Sequence, residues 1–214
     1  MPDENSSLAL GQGLTLLQSA SKRAFDMFFA AVGLALTSWL IVLVWVAATL
    51  DTGANGFFVQ RRVGRLGRQF AIIKIRTMRL GGTTSSVTIS GDPRVTRLGR
   101  IWRKFKIDEL PQLFNVLVGQ MSLVGPRPDV PGFADRLKGD DRIILTVRPG
   151  ITGPATLKYR NEEQLLASVA DPESYNEKVI FPDKVRLNRE YVQNWSFAGD
   201  IAYICATLLE TRDA

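Results

Sequence analysis

One long apolar segment near the N-terminus dominates the hydrophobic pattern of this chain. Residues 27–50, MFFAAVGLALTSWLIVLVWVAATL, contain no charged side chain. As a straight helix, at about 1.5 Å per residue, this segment is roughly 36 Å long and can cross a hydrocarbon core of about 30 Å. A core helix of a soluble domain has a polar face, and this segment has none. The pattern therefore predicts a helix embedded in a membrane.

Basic residues flank the apolar segment on both sides. Lys22 and Arg23 precede it, and the arginine-rich stretch 61–68 follows it. Because cytoplasmic flanks carry the excess of Lys and Arg, both flanks are expected on the cytoplasmic side, as in a re-entrant helix that enters and turns back. We place the break at Thr37 and Ser38, whose hydroxyls can bond to carbonyls one turn earlier. An ordinary single span remains the alternative.

The pattern over the rest of the chain predicts short helices and strands, as in a small α/β domain that is mostly helical. Residues 57–78 predict two short strands around a basic turn that contains glycine. Residues 94–106, RVTRLGRIWRKFK, predict an amphipathic basic helix, for which a solvated basic face is the alternative. Further helices are expected over 108–118, 133–146 and 156–170. From residue 181 onward we expect a helix, a break and a last helix near 199–209, which is apolar enough to lie in the membrane interface.

These patterns divide the chain into three parts. We expect a flexible tail over residues 1–21, the re-entrant membrane helix over 22–50 and a cytosolic domain over 51–214. Two proline- and glycine-rich stretches inside that domain, MSLVGPRPDVPG and RPGITG, are expected to be irregular turns.

Composition narrows the chemistry. The chain has 27 Lys and Arg against 21 Asp and Glu, a formal charge of +6 that suits phosphates, nucleic acid or an anionic lipid surface. It has no histidine, which excludes His-based triads, general bases and metal ligands. The only cysteine, Cys205, can form neither an internal disulfide nor a Cys-based metal site. Any metal must be bound by oxygen, which favours Mg²⁺.

The candidate site is the stretch KIDELPQLFN, residues 106–115. Its adjacent carboxylates, Asp108 and Glu109, open a predicted helix in which Asp108 is the N-cap and Pro111 lies in the first turn. A helix N-terminus attracts phosphate. The alternative is that Asp108 is only a cap and Glu109 only favourable to the helix dipole.

Arginines surround these carboxylates in the sequence. Arg103 lies in the basic helix just before them. Arg127 lies between two prolines, and its stiff backbone suits a guanidinium that clamps phosphate, although a surface arginine in a turn would look the same. Arg148 lies in the RPGITG turn, and Arg160 lies at the start of a predicted helix.

Taken together, these residues resemble those of a known family. In order over residues 22–205, the chain carries KRxFD, QxRxG, KIRTM, DPRVTRLGR, DELPQL, MSLVGPRP, RPGITG and YVQN. It resembles the bacterial sugar transferases, also called monotopic phosphoglycosyl transferases. The resemblance implies a catalytic α/β domain on the cytoplasmic face of the bacterial inner membrane, with a re-entrant helix and interfacial amphipathic helices.

The resemblance also implies a reaction. Such enzymes transfer sugar-1-phosphate from a nucleotide diphosphate sugar, usually a UDP-sugar, to a polyprenol phosphate, typically undecaprenyl phosphate. Asp108 matches the nucleophile that forms a covalent phosphosugar intermediate, and Glu109 matches its partner. Mg²⁺ is expected on Asp108 and the diphosphate. The basic residues expected to bind substrate phosphates are Lys74, Arg103, Arg127, Arg148 and Arg160.

Elementary chemistry agrees with this reading. A carboxylate can attack phosphorus and form an acyl phosphate, which splits one transfer into two steps. Its repulsion from the diphosphate must be offset, and Mg²⁺, arginines and a helix N-terminus can do so. Two positions depart from the family: Ser38 is followed by Trp39 where Ser-Pro is common, and Asn188 stands where an Asp is usual, so no role of that Asp is carried over.

A different class of function fits the same charge pattern. A membrane-anchored binding protein could use the basic helix for anionic lipid or nucleic acid. We expect no nucleic acid partner, because the chain lacks clustered stacking aromatics and any recognisable nucleic-acid motif. Sugar specificity is expected to lie in the loops 81–91 and 156–175.

Overall fold

The computed structural model describes residues 13–81 and 89–210. Its longest element is α1, Leu16–Thr52. Thr15 begins this helix with a capping box, in which its side chain accepts from the backbone N–H of Gln18 and the Gln18 side chain accepts from that of Thr15. The helix ends at Gly53, whose left-handed φ of 69° few other residues adopt at low cost.

Two predictions about the N-terminal region change. Residues 1–12 of the predicted tail lie outside the described residues, and from Leu16 onward the predicted tail is already helical. The predicted interruption at Thr37 and Ser38 is absent, because α1 stays helical through both positions. The hydroxyl of Thr37 does donate to the Gly33 carbonyl at 2.7 Å, as expected. A helix that turns back within a membrane stays a prediction.

The apolar character of α1 is directed outward. By length and composition it could cross a membrane, and only 17% of its most apolar window is buried in the protein. Large side chains such as Phe28, Leu36 and Trp39 are exposed along one face. The opposite face packs on the domain, where Ala30 and Ala48 are fully buried. An exposed apolar stripe of this length indicates contact with lipid or protein.

The predicted hairpin is confirmed. Strands β1, Phe57–Val63, and β2, Gln69–Ile75, pair antiparallel, with Phe57 opposite Ile75 and Val63 opposite Gln69. The turn between them contains a left-handed Leu66 (φ 57°). Ile75 is buried against the C-terminal half of α1, in a cluster with Val44, Ala48 and Trp102. This cluster connects the hairpin to the apolar helix.

The basic helix is also confirmed, but the element after it differs from the prediction. Helix α2, Arg97–Lys104, begins at Thr96, whose side chain accepts from the N–H of Gly99. A left-handed Lys106 (φ 56°) then leads into a 3₁₀ turn, Ile107–Glu109. Helix α3, Gln112–Leu117, follows.

Asp108 is therefore not an N-cap, and that prediction was wrong. Pro111 occupies the N-cap position of α3, and no side chain caps this helix. The 3₁₀ turn uses the backbone groups around Asp108, since the N–H of Glu109 donates to Lys106 and that of Leu110 to Ile107. Because α3 has only 6 residues, its N-terminus is not a useful source of positive charge for phosphate.

The two stretches predicted as irregular turns form a parallel pair of strands. Strands β3, Ser122–Val124, and β4, Gly150–Thr152, place Ser122 opposite Gly150 and Val124 opposite Thr152. Glycine permits this close approach, because a Cβ on Gly125 would lie 2.6 Å from the Arg148 carbonyl oxygen. Strands of three residues carry too little periodicity to be recognised in the sequence.

The C-terminal half is made of short helices. The predicted helix over 133–146 is replaced by two 3₁₀ segments, Ala134–Arg136 and Gly139–Thr146. The predicted helix over 156–170 is two helices. In order, the elements are α4, Pro154–Lys158; α5, Glu162–Ala167; α6, Pro172–Tyr175; a π-helical turn, Asn176–Ile180; α7, Phe181–Gln193; and α8, Phe197–Glu210.

A buried polar cluster joins the start of α1 to α8. The Asp200 carboxylate, 2% exposed, accepts from Lys22 Nζ at 2.5 Å, from the Tyr191 hydroxyl at 2.7 Å and from Trp195 Nε1 at 3.1 Å. On the next turn of α1, Asp26 accepts a backbone N–H of β3 at 3.0 Å. These bonds fix the N-terminal part of α1 to the domain.

Candidate active site

One large cleft, of about 1130 Å³, holds the predicted carboxylates. It is lined by residues of β1, β2, α2, the 3₁₀ turn, α4, α5 and α7. Among the described residues that line it, twelve are Lys or Arg and six are Asp or Glu. The cleft therefore has a strong positive bias, which suits an anionic ligand.

Asp108 lies in this cleft with an unsatisfied oxygen. Its side chain is buried, and Oδ1 has no hydrogen-bond partner among the described residues. Burial, and after it the charge of Glu109, raises the pKa of Asp108 to about 6. A buried acceptor without a donor costs about 1–3 kcal/mol, so its presence points to a ligand.

Glu109, the next residue, is in the opposite situation. Its Oε1 accepts from Lys74 Nζ at 2.9 Å and from Arg127 Nη2 at 2.5 Å. Burial alone would raise the pKa of Glu109, but the charges of Arg127, Lys74 and Lys106 outweigh it and hold this pKa well below its usual range. Two adjacent carboxyls thus have pKa values moved in opposite directions, an arrangement that separates their roles.

The two cations that contact Glu109 also have shifted pKa values. The carboxylate of Glu109 raises the pKa of Arg127, whereas burial lowers the pKa of Lys74 despite that same carboxylate. Glu109 therefore positions the charged groups of Lys74 and Arg127 in the cleft that Asp108 also lines. Its own charge is already balanced, which leaves Asp108 as the carboxylate open to a ligand.

Two more predicted basic residues line the same cleft. Arg103 Nε donates to Thr77 Oγ1 at 2.9 Å, and its Nη1 donates to Glu163 Oε1 at 2.8 Å. Arg160 lies at the junction between α4 and α5 and also lines the cleft. The structure thus brings Lys74, Arg103, Arg127 and Arg160 together with Asp108 and Glu109.

Arg148 is not part of this group. Its Nε donates to the Gly119 carbonyl at 2.9 Å, and it lines a separate small cavity beside Lys22 and Asp26. Burial and the charge of Arg23 lower its pKa. The structure therefore does not bring Arg148 together with the other predicted phosphate-binding residues, because its position two residues before β4 places it beside the base of α1.

Several polar residues of the cleft carried no clear signal in the sequence. Asp129 follows the GPRP turn, and burial raises its pKa to about 6 although Lys184 and Arg62 oppose the shift. Thr156 and Asn188 each place at the cleft a buried oxygen that has no hydrogen-bond partner among the described residues. Only Asn188 could have been noticed beforehand, through its departure from the family's Asp.

The donor set fits a divalent cation held mainly by its substrate. Within residues 13–81 and 89–210, no group of three or more His, Cys, Asp or Glu could hold a metal by itself. Mg²⁺ is commonly bound by one or two carboxylates, with substrate phosphates and water completing its shell. The free Oδ1 of Asp108 is a suitable hard oxygen ligand, with no other protein carboxylate required.

Comparisons with known proteins agree with the site. The sequence pattern of the family described as bacterial sugar transferase matches residues 17–213. Exopolysaccharide production protein ExoY of Rhizobium meliloti is 32% identical over 205 residues, which cover 88% of this chain and 84% of that protein.

Two further relatives carry more specific names. A putative undecaprenyl-phosphate N-acetylgalactosaminyl 1-phosphate transferase of Bacillus subtilis is 41% identical over 123 residues, covering 56% of this chain and 69% of that protein. Undecaprenyl-phosphate galactose phosphotransferase of Salmonella typhimurium is 33% identical over 203 residues, covering 87% of this chain and 39% of that longer protein. With a family match over nearly its whole length and the Asp108–Glu109 pair in a basic cleft, this chain belongs to the bacterial sugar transferase family.

Proposed function

We propose that this protein transfers sugar-1-phosphate from a UDP-sugar to undecaprenyl phosphate through a covalent intermediate on Asp108. The observation that carries the proposal is the unpartnered Oδ1 of Asp108, buried in a basic cleft beside a charge-balanced Glu109. The names of the relatives support the acceptor and the sugar phosphate class.

In the first step, an oxygen of Asp108 attacks the phosphorus next to the sugar. The bond between that phosphorus and the bridging oxygen breaks, and UMP leaves with the electron pair. A raised pKa of about 6 leaves Asp108 mostly ionised at pH 7.5 and more basic than an ordinary carboxylate, which favours attack. In the second step, a phosphate oxygen of the lipid attacks the same phosphorus, and Asp108 is released.

Charge neutralisation is the main task of the surrounding residues. Lys74 and Arg127 are held on Glu109, and Arg103 is held on Thr77, so the diphosphate would meet cations whose positions are already set. Preorganised charge of this kind is usually the largest contribution to catalysis of phosphoryl transfer. Mg²⁺, which the free Oδ1 of Asp108 could help to hold, would supply further neutralisation.

The packing of α1 supports insertion from one face of the membrane. Asp26 and Ala48, about 33 Å apart along a straight helix, both contact the same domain. A helix that spanned a hydrocarbon core of about 30 Å would have to draw this polar domain into the lipid. Insertion of α1 from one face avoids that cost and keeps the cleft at the cytoplasmic surface. Because α1 is helical without interruption, it would turn back by bending, which the bond from the Thr37 hydroxyl to the Gly33 carbonyl favours.

The test is turnover by the full chain in detergent or liposomes. A panel of UDP-sugars is supplied with undecaprenyl phosphate and Mg²⁺, and UMP and the lipid product are measured. We expect UMP release to require the lipid acceptor for multiple turnovers and to stop when EDTA is added. Absence of UMP release with every donor, together with salt-sensitive binding of nucleic acid, would favour a basic binding protein instead.

Topology has its own test. Cysteines are introduced singly as Leu10→Cys and Asn55→Cys in a Cys205→Ser background, since Cys205 is exposed. A membrane-impermeant thiol reagent should reach both positions only from the cytoplasmic side. Labelling from opposite sides would contradict re-entrant insertion and leave the catalytic proposal untouched.

A further inference from the structure

We propose that Arg62, Asp129, Thr156 and Asn188, here called the polar subsite, bind the hydroxyl groups of the donor sugar and select a neutral hexose. This inference rests on the proposed function and names the substrate class of the same cleft. It assigns a task to residues that neither the Asp108–Glu109 pair nor the phosphate-binding cations explain.

Unsatisfied polar atoms mark the polar subsite. Six buried side-chain atoms in the described parts of the chain lack a hydrogen-bond partner, and four of them belong to residues that line this cleft. One is Asp108 Oδ1, and the others are Arg62 Nε, Thr156 Oγ1 and Asn188 Oδ1. Asn188 is only 6% exposed, so solvent does little to satisfy its amide. Leaving such atoms without partners is costly, and a polar ligand would remove that cost.

The polar subsite adjoins the phosphate-binding residues. Arg127, which binds Glu109, lies two positions before Asp129. Arg62 Nη1 donates to the Pro128 carbonyl at 3.2 Å, and the N–H of Val63 donates to the Asp129 carbonyl at 2.9 Å. Strand β1 therefore holds the loop that carries both Arg127 and Asp129. A ligand with its phosphate at Arg127 would present its next group to this loop.

Two helices provide the remaining groups of the polar subsite. Helix α4 carries Thr156 and packs against α7, which carries Asn188. One turn before Asn188, Lys184 donates to both carboxylate oxygens of Glu162, at 2.8 and 2.6 Å. Glu162 therefore neutralises the charge of Lys184, the lysine of α7 that lines the cleft.

The chemistry of the polar subsite matches hydroxyl groups. Asp129 and Asn188 Oδ1 can accept hydrogen bonds, Arg62 Nε can donate one, and the Thr156 hydroxyl can do either. No described residue donates a hydrogen bond to the Asp129 carboxylate, and burial raises the pKa of this group although the charges of Lys184 and Arg62 lower it. A second carboxylate, as in a uronic acid, would be repelled there.

A nucleobase is a poorer occupant of the polar subsite. Bases are usually bound by stacking on aromatic side chains, and none of its four residues is aromatic. Tyr159 also lines the cleft near Thr156, but its hydroxyl donates to Asp183 and Lys184 lies over its ring. Phe58 on β1 and Met78 and Leu80 after β2 supply the apolar lining elsewhere in the cleft. We therefore assign the uracil to that apolar part and the sugar to the polar subsite.

Asn188 gives the inference its specificity for this chain. The family pattern that the sequence resembles has Asp at this position, and an amide keeps one acceptor oxygen, adds two donors and removes the charge. With Asp129 nearby in the cleft, the neutral amide avoids a second buried negative charge. Asn188→Asp keeps the size of the side chain and is therefore the mildest way to disturb recognition of a hydroxyl.

The experiment compares wild type, Asn188→Asp and Thr156→Val. It measures kcat/KM with UDP-glucose, UDP-galactose, their monodeoxy analogues and UDP-glucuronate, and the inhibition constant of UMP. We expect wild type to prefer a neutral hexose over the uronate by at least about 100-fold. Each variant should lose about 5–30-fold with the preferred hexose, much less with one monodeoxy analogue, and leave UMP inhibition within about twofold.

Other outcomes overturn the inference. A parallel rise in the UMP inhibition constant would make these residues part of the nucleotide site. Unchanged kcat/KM in both variants, or a wild-type preference for UDP-glucuronate, would also refute it. The melting temperature of each variant is measured as a control, and a value equal to that of wild type shows that the variant is folded. Turnover of none of these donors, with UMP release from another UDP-sugar of the wider panel, would refute the inference and leave the proposed function standing. Absence of turnover with every UDP-sugar would instead refute the proposed function.

Discussion

Two buried aspartates in this molecule have opposite surroundings. Asp200, at the base of α1, accepts hydrogen bonds from Lys22, Tyr191 and Trp195. Asp108, in the cleft, keeps Oδ1 free of any partner among the described residues. Both side chains are buried, at 2% and 7% exposed. Burial alone therefore does not separate these two carboxylates, whereas the hydrogen-bond partners of their oxygens do.

The contrast has an energetic meaning. A buried carboxylate whose oxygens are all engaged contributes to a fixed arrangement, and removing one partner leaves an uncompensated charge. A carboxylate left open makes the folded protein less stable and keeps an oxygen ready for a ligand. The same substitution, Asp to Asn, should consequently affect activity at one position and stability at the other.

The largest effect is expected for Asp108→Asn. An amide cannot form the acyl phosphate, so UMP release should fall at least about 10³-fold. The melting temperature should not decrease, because the substitution removes a charge that burial and Glu109 disfavour. Turnover and thermal unfolding, measured in the same detergent, check the loss of activity and the unchanged stability. Substantial remaining turnover would remove Asp108 from its proposed role.

Asp200→Asn tests the other half of the comparison. It breaks the buried ion pair of Lys22, which then has only Asp26 as a nearby opposite charge. This is expected to destabilise the fold by about 3–5 kcal/mol and lower the melting temperature by about 10 °C. Turnover per folded molecule at low temperature should stay within about threefold of wild type. A stable variant with little activity would show that the α1–α8 connection does more than hold the fold.

Glu109→Gln should lower activity by less than Asp108→Asn and stability by less than Asp200→Asn. The amide cannot balance Lys74 and Arg127, so the two cations would repel each other and lose their positions. We expect turnover to fall about 10–100-fold and the melting temperature to fall by a few degrees. Glu190→Gln is the matched control, because its pair with Arg186 is exposed and such pairs contribute little.

A smaller effect separates two arginines that the sequence treats alike. Arg127→Gln should raise the KM for the UDP-sugar about 10-fold, because Arg127 lines the cleft and binds Glu109. Arg148→Gln should change it less than about twofold, because Arg148 lines a different cavity. Equal increases in KM would mean that the two arginines act on the same ligand.

Local patterns were sufficient for the elements that depend on neighbours in the sequence. The uncharged run predicted α1, and alternation around a glycine turn predicted the hairpin of β1 and β2. The parallel pairing of β3 with β4 was missed, because each strand has three residues and its partner is distant in the chain. Asp108 was misplaced as a cap, because a left-handed Lys106 and a 3₁₀ turn leave no pattern of their own.

Residue identity predicted much of the site, but not its connections. The motifs selected Lys74, Arg103, Arg127 and the two carboxylates, and all of them line one cleft. Which carboxylate receives the cations could not be predicted, since the contacts of Glu109 join residues 35 and 18 positions apart. The Lys22–Asp200 bond, across 178 positions, had no sequence signal at all.

The most direct measurement is the mass of the protein after a single half-reaction. The full chain is incubated with its preferred UDP-sugar and Mg²⁺ without lipid acceptor, quenched, and analysed intact and after proteolysis. We expect a stoichiometric burst of UMP and a mass increase of one sugar phosphate on the peptide that contains Asp108. Addition of undecaprenyl phosphate before the quench should remove this adduct. Direct transfer to the lipid, with no adduct and no UMP burst before the acceptor is added, would contradict the covalent intermediate.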